Sequence, residues 1–166
     1  MPMAGHLSHE TLQPPALDAI SALSRAAALC KKRGVQWTAI RKALLWALLE
    51  SERPIPVSPL LRRLRELVGR NVLPPTLYRC LDFLIVQGFA QKISTSNAYV
   101  ALRHADQSPQ VMFLLCDSCG TSIEVPNCAV ERHVTDAAQQ REFDVHKITI
   151  EIHGVCRSCR AYSKVH

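Results

Sequence analysis

Two Cys-x-x-Cys pairs, Cys116-Asp117-Ser118-Cys119 and Cys156-Arg157-Ser158-Cys159, constrain this chain more than any other feature. Two residues between thiols let a tight backbone turn present both sulfurs to one ion, and two such knuckles complete a tetrahedral site. Four thiolates make a closed site with no position left for a metal-bound water, so the pattern predicts a structural Zn2+ rather than a catalytic one. A doubled pair argues against both a redox Cys-x-x-C and coincidence. Residues 120 to 155 separate the pairs, 36 in all, where a simple zinc ribbon has roughly 15–20. The gap therefore holds more than a hairpin.

Seven cysteines, arranged as two close pairs and the singles Cys30, Cys80 and Cys128, fit reduced thiols in a cytosol better than a disulfide framework. The singles sit at apolar or mixed positions and read as inert small hydrophobes. Residues 1–15 carry no apolar run, and no stretch reaches the ~18 uninterrupted apolar residues of a membrane span, so a cytoplasmic protein with no membrane partner is expected. Charge divides the chain. Residues 1–103 hold 14 Lys and Arg against 6 Asp and Glu, a balance of +8, while residues 104–166 hold 6 against 8, a balance of −2. The basic half is the candidate for a polyanion, and the other half carries the cysteines.

In chain order, residues 1–15 read as a flexible tail containing His6 and His9. Leu17, Ile20, Leu23, Ala27 and Cys30 recur at helical spacing before Gly34 and predict a first helix buried on that face. Thr38 is the expected N-cap of a second, with Ile40, Leu44, Ala47 and Leu48 inward. Residues 51–57 read as an extended connector with Pro54 and Pro56. Ser58-Pro59 predicts the start of a third helix, buried along Leu60, Leu61, Leu64, Leu67 and Val68, with Arg62, Arg63 and Arg65 outward and Gly69 as its end. Pro74 and Pro75 open a fourth helix that Gly88 closes, with Leu77, Leu81, Leu84 and Ile85 as its core face. Pro75, Tyr78, Arg79 and Asp82 cluster on the other side near its N-terminal half, the end from which a docked recognition helix reaches base edges. Strand, turn and strand follow in residues 89–93, 94–97 and 98–102. Helices followed by a small hairpin predict a winged helix-turn-helix over 16–103, its wing near Lys92 lying along a DNA backbone; a solvated basic face explains the arginines nearly as well.

Residues 104–110 read as a hinge linker. Beyond them, 111–166 predict a small α/β unit: strands at 111–115 and 121–125, a helix capped by Asn127 and buried along Val130, Val134, Ala137 and Ala138, and a strand over 147–153 with Ile148, Ile150 and Ile152 on one face and Thr149, Glu151 and His153 on the other. A unit this size is usually stabilised by metal, oligomerisation or both. The fold class expected is α+β.

Both halves together resemble the ferric uptake regulator family of bacterial metal-dependent transcription factors, most closely its zinc uptake regulator branch. The residues that carry the likeness are Thr38-Ala39-Ile40-Arg41, the run from Pro75 to Leu84 with Gln87-Gly88-Phe89, and both cysteine pairs; the likeness covers about 16–160. It implies a zinc-responsive regulator, mainly a repressor, of zinc uptake and homeostasis genes, acting as a homodimer on double-stranded operator DNA, with no small-molecule substrate and no catalytic residue. Thr76, Tyr78, Arg79, Arg41 and Lys92 are the candidate DNA contacts. Such regulators usually carry a second, sensing metal at the hinge. Here His104 and Glu124 are the candidate ligands of a regulatory Zn2+, with Asp106 or His153 as further donors. Gln91, Ala101, Leu102 and residues 106–110 depart from the usual ligand set. Iron or peroxide sensing is the alternative within the family; thiol–disulfide exchange is the alternative outside it, and predicts one exposed reactive pair rather than four convergent thiolates.

Overall fold

The computed structural model describes residues 15–103, 111–126, 128–146 and 148–162. The tail histidines, His104, Asp106 and the Asn127 cap lie outside the described residues. Four helices come first: α1 (Pro15–Lys32), α2 (Ala39–Leu49), α3 (Val57–Val68) and α4 (Pro74–Val86), with the two-residue strand β1 (Ile55–Pro56) between α2 and α3. β2 (Ala90–Ile93) and β3 (Ala98–Ala101) form a hairpin, and β1 pairs antiparallel with β3 to give the order β1-β3-β2. A second sheet, ordered β5-β4-β6, contains β4 (Val111–Cys116), the antiparallel β5 (Ser122–Pro126) and the parallel β6 (Glu151–Gly154). Between β5 and β6 lies α5 (Cys128–Gln139), and α6 (Arg157–Tyr162) ends the described chain. This is an α+β architecture, a winged helix-turn-helix followed by a small α/β unit.

One core joins α1–α4 to the hairpin. Leu44, Leu48, Leu60, Leu64, Leu77, Leu81 and Leu84 are fully buried in it with Phe89, and each such side chain contributes roughly 1.5–3 kcal/mol by leaving water. Thr38 caps α2, its hydroxyl accepting the Arg41 N–H. Gly69 ends α3 in the left-handed region at φ 65°, a conformation glycine adopts without a Cβ clash. Cys30 and Cys80 are buried, and burial pushes both thiols up despite nearby arginines, as inert cysteines should behave.

Several expectations need correction. The inward face of α1 is Ala19, Ala22, Leu23, Ala26 and Cys30, while Leu17 and Ile20 are exposed: small alanines allow close helix approach, so the larger residues flank the contact. The third helix begins after Pro56, not at Ser58, because Pro56 holds the extended conformation of an N-cap (φ −64°, ψ 159°) and Pro59 is tolerated in a first turn whose N–H groups lack helical partners anyway. On α3, Leu67 is exposed, and Arg65 is not free in solvent, since its Nε donates to the Val72 carbonyl at 2.9 Å. The connector contains β1, which the sequence hides in two residues. β6 is shorter than its alternating pattern, and Ile152 is exposed. Val130 and Val134, expected inward on α5, are 42 % and 41 % exposed; among the described residues nothing covers them. No periodicity announced α6.

Candidate metal centre and nucleic-acid interface

β4 ends at Cys116, and the chain turns at once. The Gly120 N–H donates to the Cys116 carbonyl at 2.8 Å and the Cys116 N–H to the Thr121 carbonyl at 3.0 Å, closing the first knuckle, with Gly120 at φ 73°. The second follows β6: the Asp117 N–H meets the Gly154 carbonyl at 2.8 Å, tying the knuckles together, and the Arg160 N–H donates to the Cys156 carbonyl as α6 begins. As a result the Sγ atoms of Cys116, Cys119, Cys156 and Cys159 all lie within 4.8 Å of one another. Cys119 Sγ and Cys156 Sγ are 3.8 Å apart. That is far beyond the ~2.05 Å of a disulfide, and sulfurs about 2.3 Å from a shared zinc stand about 3.8 Å apart at tetrahedral corners.

Electrostatics agree with the geometry. The Cys156 N–H donates to Cys116 Sγ at 3.3 Å, and this amide, with that of Cys119, lowers the Cys116 thiol to about 6. Thr121 lowers Cys119 through its hydroxyl and its N–H. Cys159 is instead pushed up to about 12, chiefly by the Cys156 and Cys119 side chains. Four sulfurs this close repel one another as thiolates, so all four can ionise together only around a shared cation. The residues fit a closed Zn2+ site.

The winged helix carries the basic surface. Tyr78 is 45 % exposed; along α4, Arg79 and Asp82 are exposed and Thr76 is partly buried. Lys92 is exposed on β2, opposite Tyr99 of β3. Burial, then Tyr78 and Asp82, raise the Tyr99 hydroxyl, so α4 and the hairpin meet at this side chain. Arg41 is placed differently. Its guanidinium lies 3.6 Å from the centre of the Phe83 ring and donates to the Gln36 carbonyl, which fastens α2 to α4.

Between the halves the structure assembles contacts that the sequence did not suggest. The Arg103 N–H donates to Glu124 Oε2 at 2.8 Å, its guanidinium reaches Asp18 at 3.0 Å and the Leu49 carbonyl at 2.7 Å, and its own carbonyl accepts from Arg25 at 2.7 Å. Glu124 is thus held against the backbone of Arg103. Beside the first knuckle, the N–H and hydroxyl of Ser122 meet the Glu52 carbonyl at 2.9 and 3.1 Å. His153, a weaker candidate ligand, bonds Asp117 at 3.0 Å. The only legible signal for any of these was charge in a hinge or on the polar face of a strand.

The second sheet has two unlike faces. Phe113 and Leu115 face the hairpin and pack with Ile93 and Val100, and register puts Glu124 and Glu151 on either side of Phe113. The opposite face presents Leu114, Ile123 and Ile152, the latter two 46 % and 44 % exposed.

Comparison with known proteins adds three findings. Residues 32–153 match the model of the Ferric uptake regulator family. The Zinc uptake regulation protein of Escherichia coli (strain K12) is 34 % identical over 138 residues, 82 % of this chain and 80 % of that protein. Among solved structures, a Zinc Uptake Regulator complexed with zinc and DNA superposes at TM-score 0.82 with 32 % identity, covering 88 % of this chain and 97 % of that one, and holo XcZur at TM-score 0.78 with 34 % identity, covering 85 % and 98 %.

Proposed function

The chain belongs to the ferric uptake regulator family, and from that membership we infer that it is a zinc-responsive, DNA-binding regulator of transcription, mainly a repressor of zinc uptake and homeostasis genes, acting in the cytoplasm as a homodimer on double-stranded operator DNA. The observation that carries this reading is one chain holding both a four-sulfur centre and a winged helix, joined where Ser122, beside the first knuckle, meets the Glu52 carbonyl. Among the described residues no helix is long and apolar enough to cross a membrane.

In this reading 16–103 bind DNA and 111–166 dimerise and bind zinc, while the expected tail over 1–15 and hinge over 104–110 fall, Pro15 apart, outside the described residues. Cys116, Cys119, Cys156 and Cys159 hold a structural Zn2+, which neutralises thiolate charge and locks the knuckles together. With four sulfurs bound, no coordination position remains for substrate or water, so no catalytic role is assigned. The open face of the second sheet, with Val130 and Val134 of α5, meets its counterpart in a second copy, where an apolar surface is expected to be covered. Tyr78, Arg79 and Thr76 of α4 face the major groove, Lys92 meets the backbone, and Arg41 acts chiefly by holding α4 in place.

For the switch, Glu124 and His104 are the candidate ligands of a regulatory Zn2+. A metal shared by them would tie the winged helix to the dimer body, and it regulates only if it binds that arrangement more tightly than others. Replacing either by Ala should leave the four-cysteine zinc and the dimer intact while moving DNA binding to higher free zinc.

The reading as a whole is tested by Tyr78→Ala and Arg79→Ala, which should weaken binding to a duplex selected by the parent protein without changing its zinc content. Loss of an Arg79–base contact should reduce discrimination by about 1–3 kcal/mol, whereas loss of a phosphate contact should weaken all sequences alike and lower the salt slope by about one. Unchanged binding in both variants would show that α4 does not read DNA.

A further inference from the structure

β6 delivers a carboxylate to the wing. Glu151 Oε1 accepts the Ser94 N–H at 2.7 Å, and Oε2 accepts the Thr95 hydroxyl at 2.7 Å and the Thr95 N–H at 3.3 Å. Ser94 and Thr95 open the exposed turn between β2 and β3. Burial alone would raise this carboxyl, but the donors from Ser94 and Thr95, aided by the nearby His153, outweigh it and hold Glu151 below the usual glutamate range. The contact therefore favours the charged form and is a set of charge-assisted hydrogen bonds. Directly below, Ile93 and Val100 of the hairpin pack against Phe113 and Leu115.

We propose that Glu151 is a positioning residue for DNA binding, a strut from the second sheet that fixes the wing turn, and with it Lys92, relative to α4. The proposal rests on the reading above that this chain binds duplex DNA. Its physical basis is preorganisation: a turn already ordered in the free protein loses less freedom when DNA arrives. The same two amides and hydroxyl are also the kind of donors that hold a phosphate, so a carboxylate among them has an opposite possible consequence, competition with DNA. Two observations favour positioning. The apolar patch of Ile93, Val100, Phe113 and Leu115 holds the hairpin against the second sheet, where the carboxylate reaches the turn, and the superposition on the zinc- and DNA-complexed relative covers 88 % of this chain.

The test uses zinc-loaded full-length protein and a labelled duplex that the parent selects from a randomised pool in zinc. Glu151→Ala should weaken binding about tenfold and speed hydrogen exchange at the Ser94 and Thr95 amides of the DNA-free protein, with zinc content unchanged. Glu151→Gln keeps an acceptor oxygen and should recover part of the affinity. Thr95→Ala, at an exposed position that does not threaten folding, should cost less than Glu151→Ala and add nothing to it in the double variant. Equal affinity in the parent and Glu151→Ala overturns the proposal. Tighter binding overturns it too, showing that the carboxylate competes with phosphate. If the parent selects no duplex at all, the DNA-binding reading fails first and the strut has nothing to position.

Discussion

The first 89 described residues and those after the hinge are stabilised by different means. Residues 15–103 converge on a core of twenty buried side chains drawn from all four helices and the hairpin. Residues 111–162 bury Phe113, Leu115 and Cys116 among the described hydrophobics, and leave Ile123, Val130, Val134, Phe143, Ile152 and Val155 exposed. Hydrophobic burial suffices for the first region. The second is too small and too open for that, so metal ligation and a partner surface must supply what its own apolar contacts do not. The difference also suits the function proposed above, in which a self-supporting region would read DNA and a region sensitive to an ion would set its placement.

The largest effect is expected at the cysteines. Cys156→Ser should remove tightly held zinc and unfold the second region, since a structural zinc supplies folding free energy on the order of 10 kcal/mol. Helical circular dichroism from α1–α4 should largely survive. Full zinc content and an unchanged melting profile would show that the four sulfurs are not the metal site.

Next in size, Leu81→Ala in the fully buried core should cost about 2–5 kcal/mol, lowering the denaturant midpoint of the winged helix whether or not zinc is bound. If chelation and Leu81→Ala instead moved one shared transition equally, the two regions would not be separable as argued. A third variant, Val134→Glu on the exposed face of α5, should shift the dimer toward monomer in sedimentation while retaining zinc; an unshifted dimer would place the interface elsewhere.

What the sequence disclosed follows the same division. The knuckles were legible because their chemistry is local, two thiols per turn, and α4 because prolines open it and glycine closes it. Thr38 as a cap needed only its neighbours. On α1 the helical spacing marks Leu23 and Cys30, which are buried, but not Ala19, Ala22 and Ala26, which make the rest of the contact in place of Leu17 and Ile20. The start of α3 was misread because Pro56 outranks Ser58 in setting the backbone. α6 is too short for a period to appear. Glu151 and the wing turn are 57 and 56 residues apart, and Arg103 and Glu124 are 21 apart; no local pattern encodes such meetings. Val130 and Val134 have the spacing of a buried face, but among the described residues nothing packs over them and both are exposed.

The smallest expected effect is on pH. Glu151 is depressed in the folded protein by its hydrogen bonds to the wing, so its contribution is fully present above the unfolded glutamate value of about 4.3 and is lost as pH falls through the lower folded value. Because the carboxylate is partly exposed, solvent screens it and the change should be slight. Comparing acid unfolding of the parent with that of Glu151→Gln isolates it: the variant should lose the part of the acid dependence that belongs to this group, and identical profiles would mean that the contact contributes nothing measurable.

If the function proposed above holds, zinc governs DNA binding by this chain. The most direct test measures affinity for a selected duplex across buffered free zinc, using protein whose zinc content per chain is determined at every point. Tight binding should appear as free zinc rises, in protein that already holds one zinc per chain on the four cysteines, and should reverse on chelation. Equal affinity at all zinc levels, with the four-cysteine zinc retained throughout, would contradict a zinc-responsive regulator.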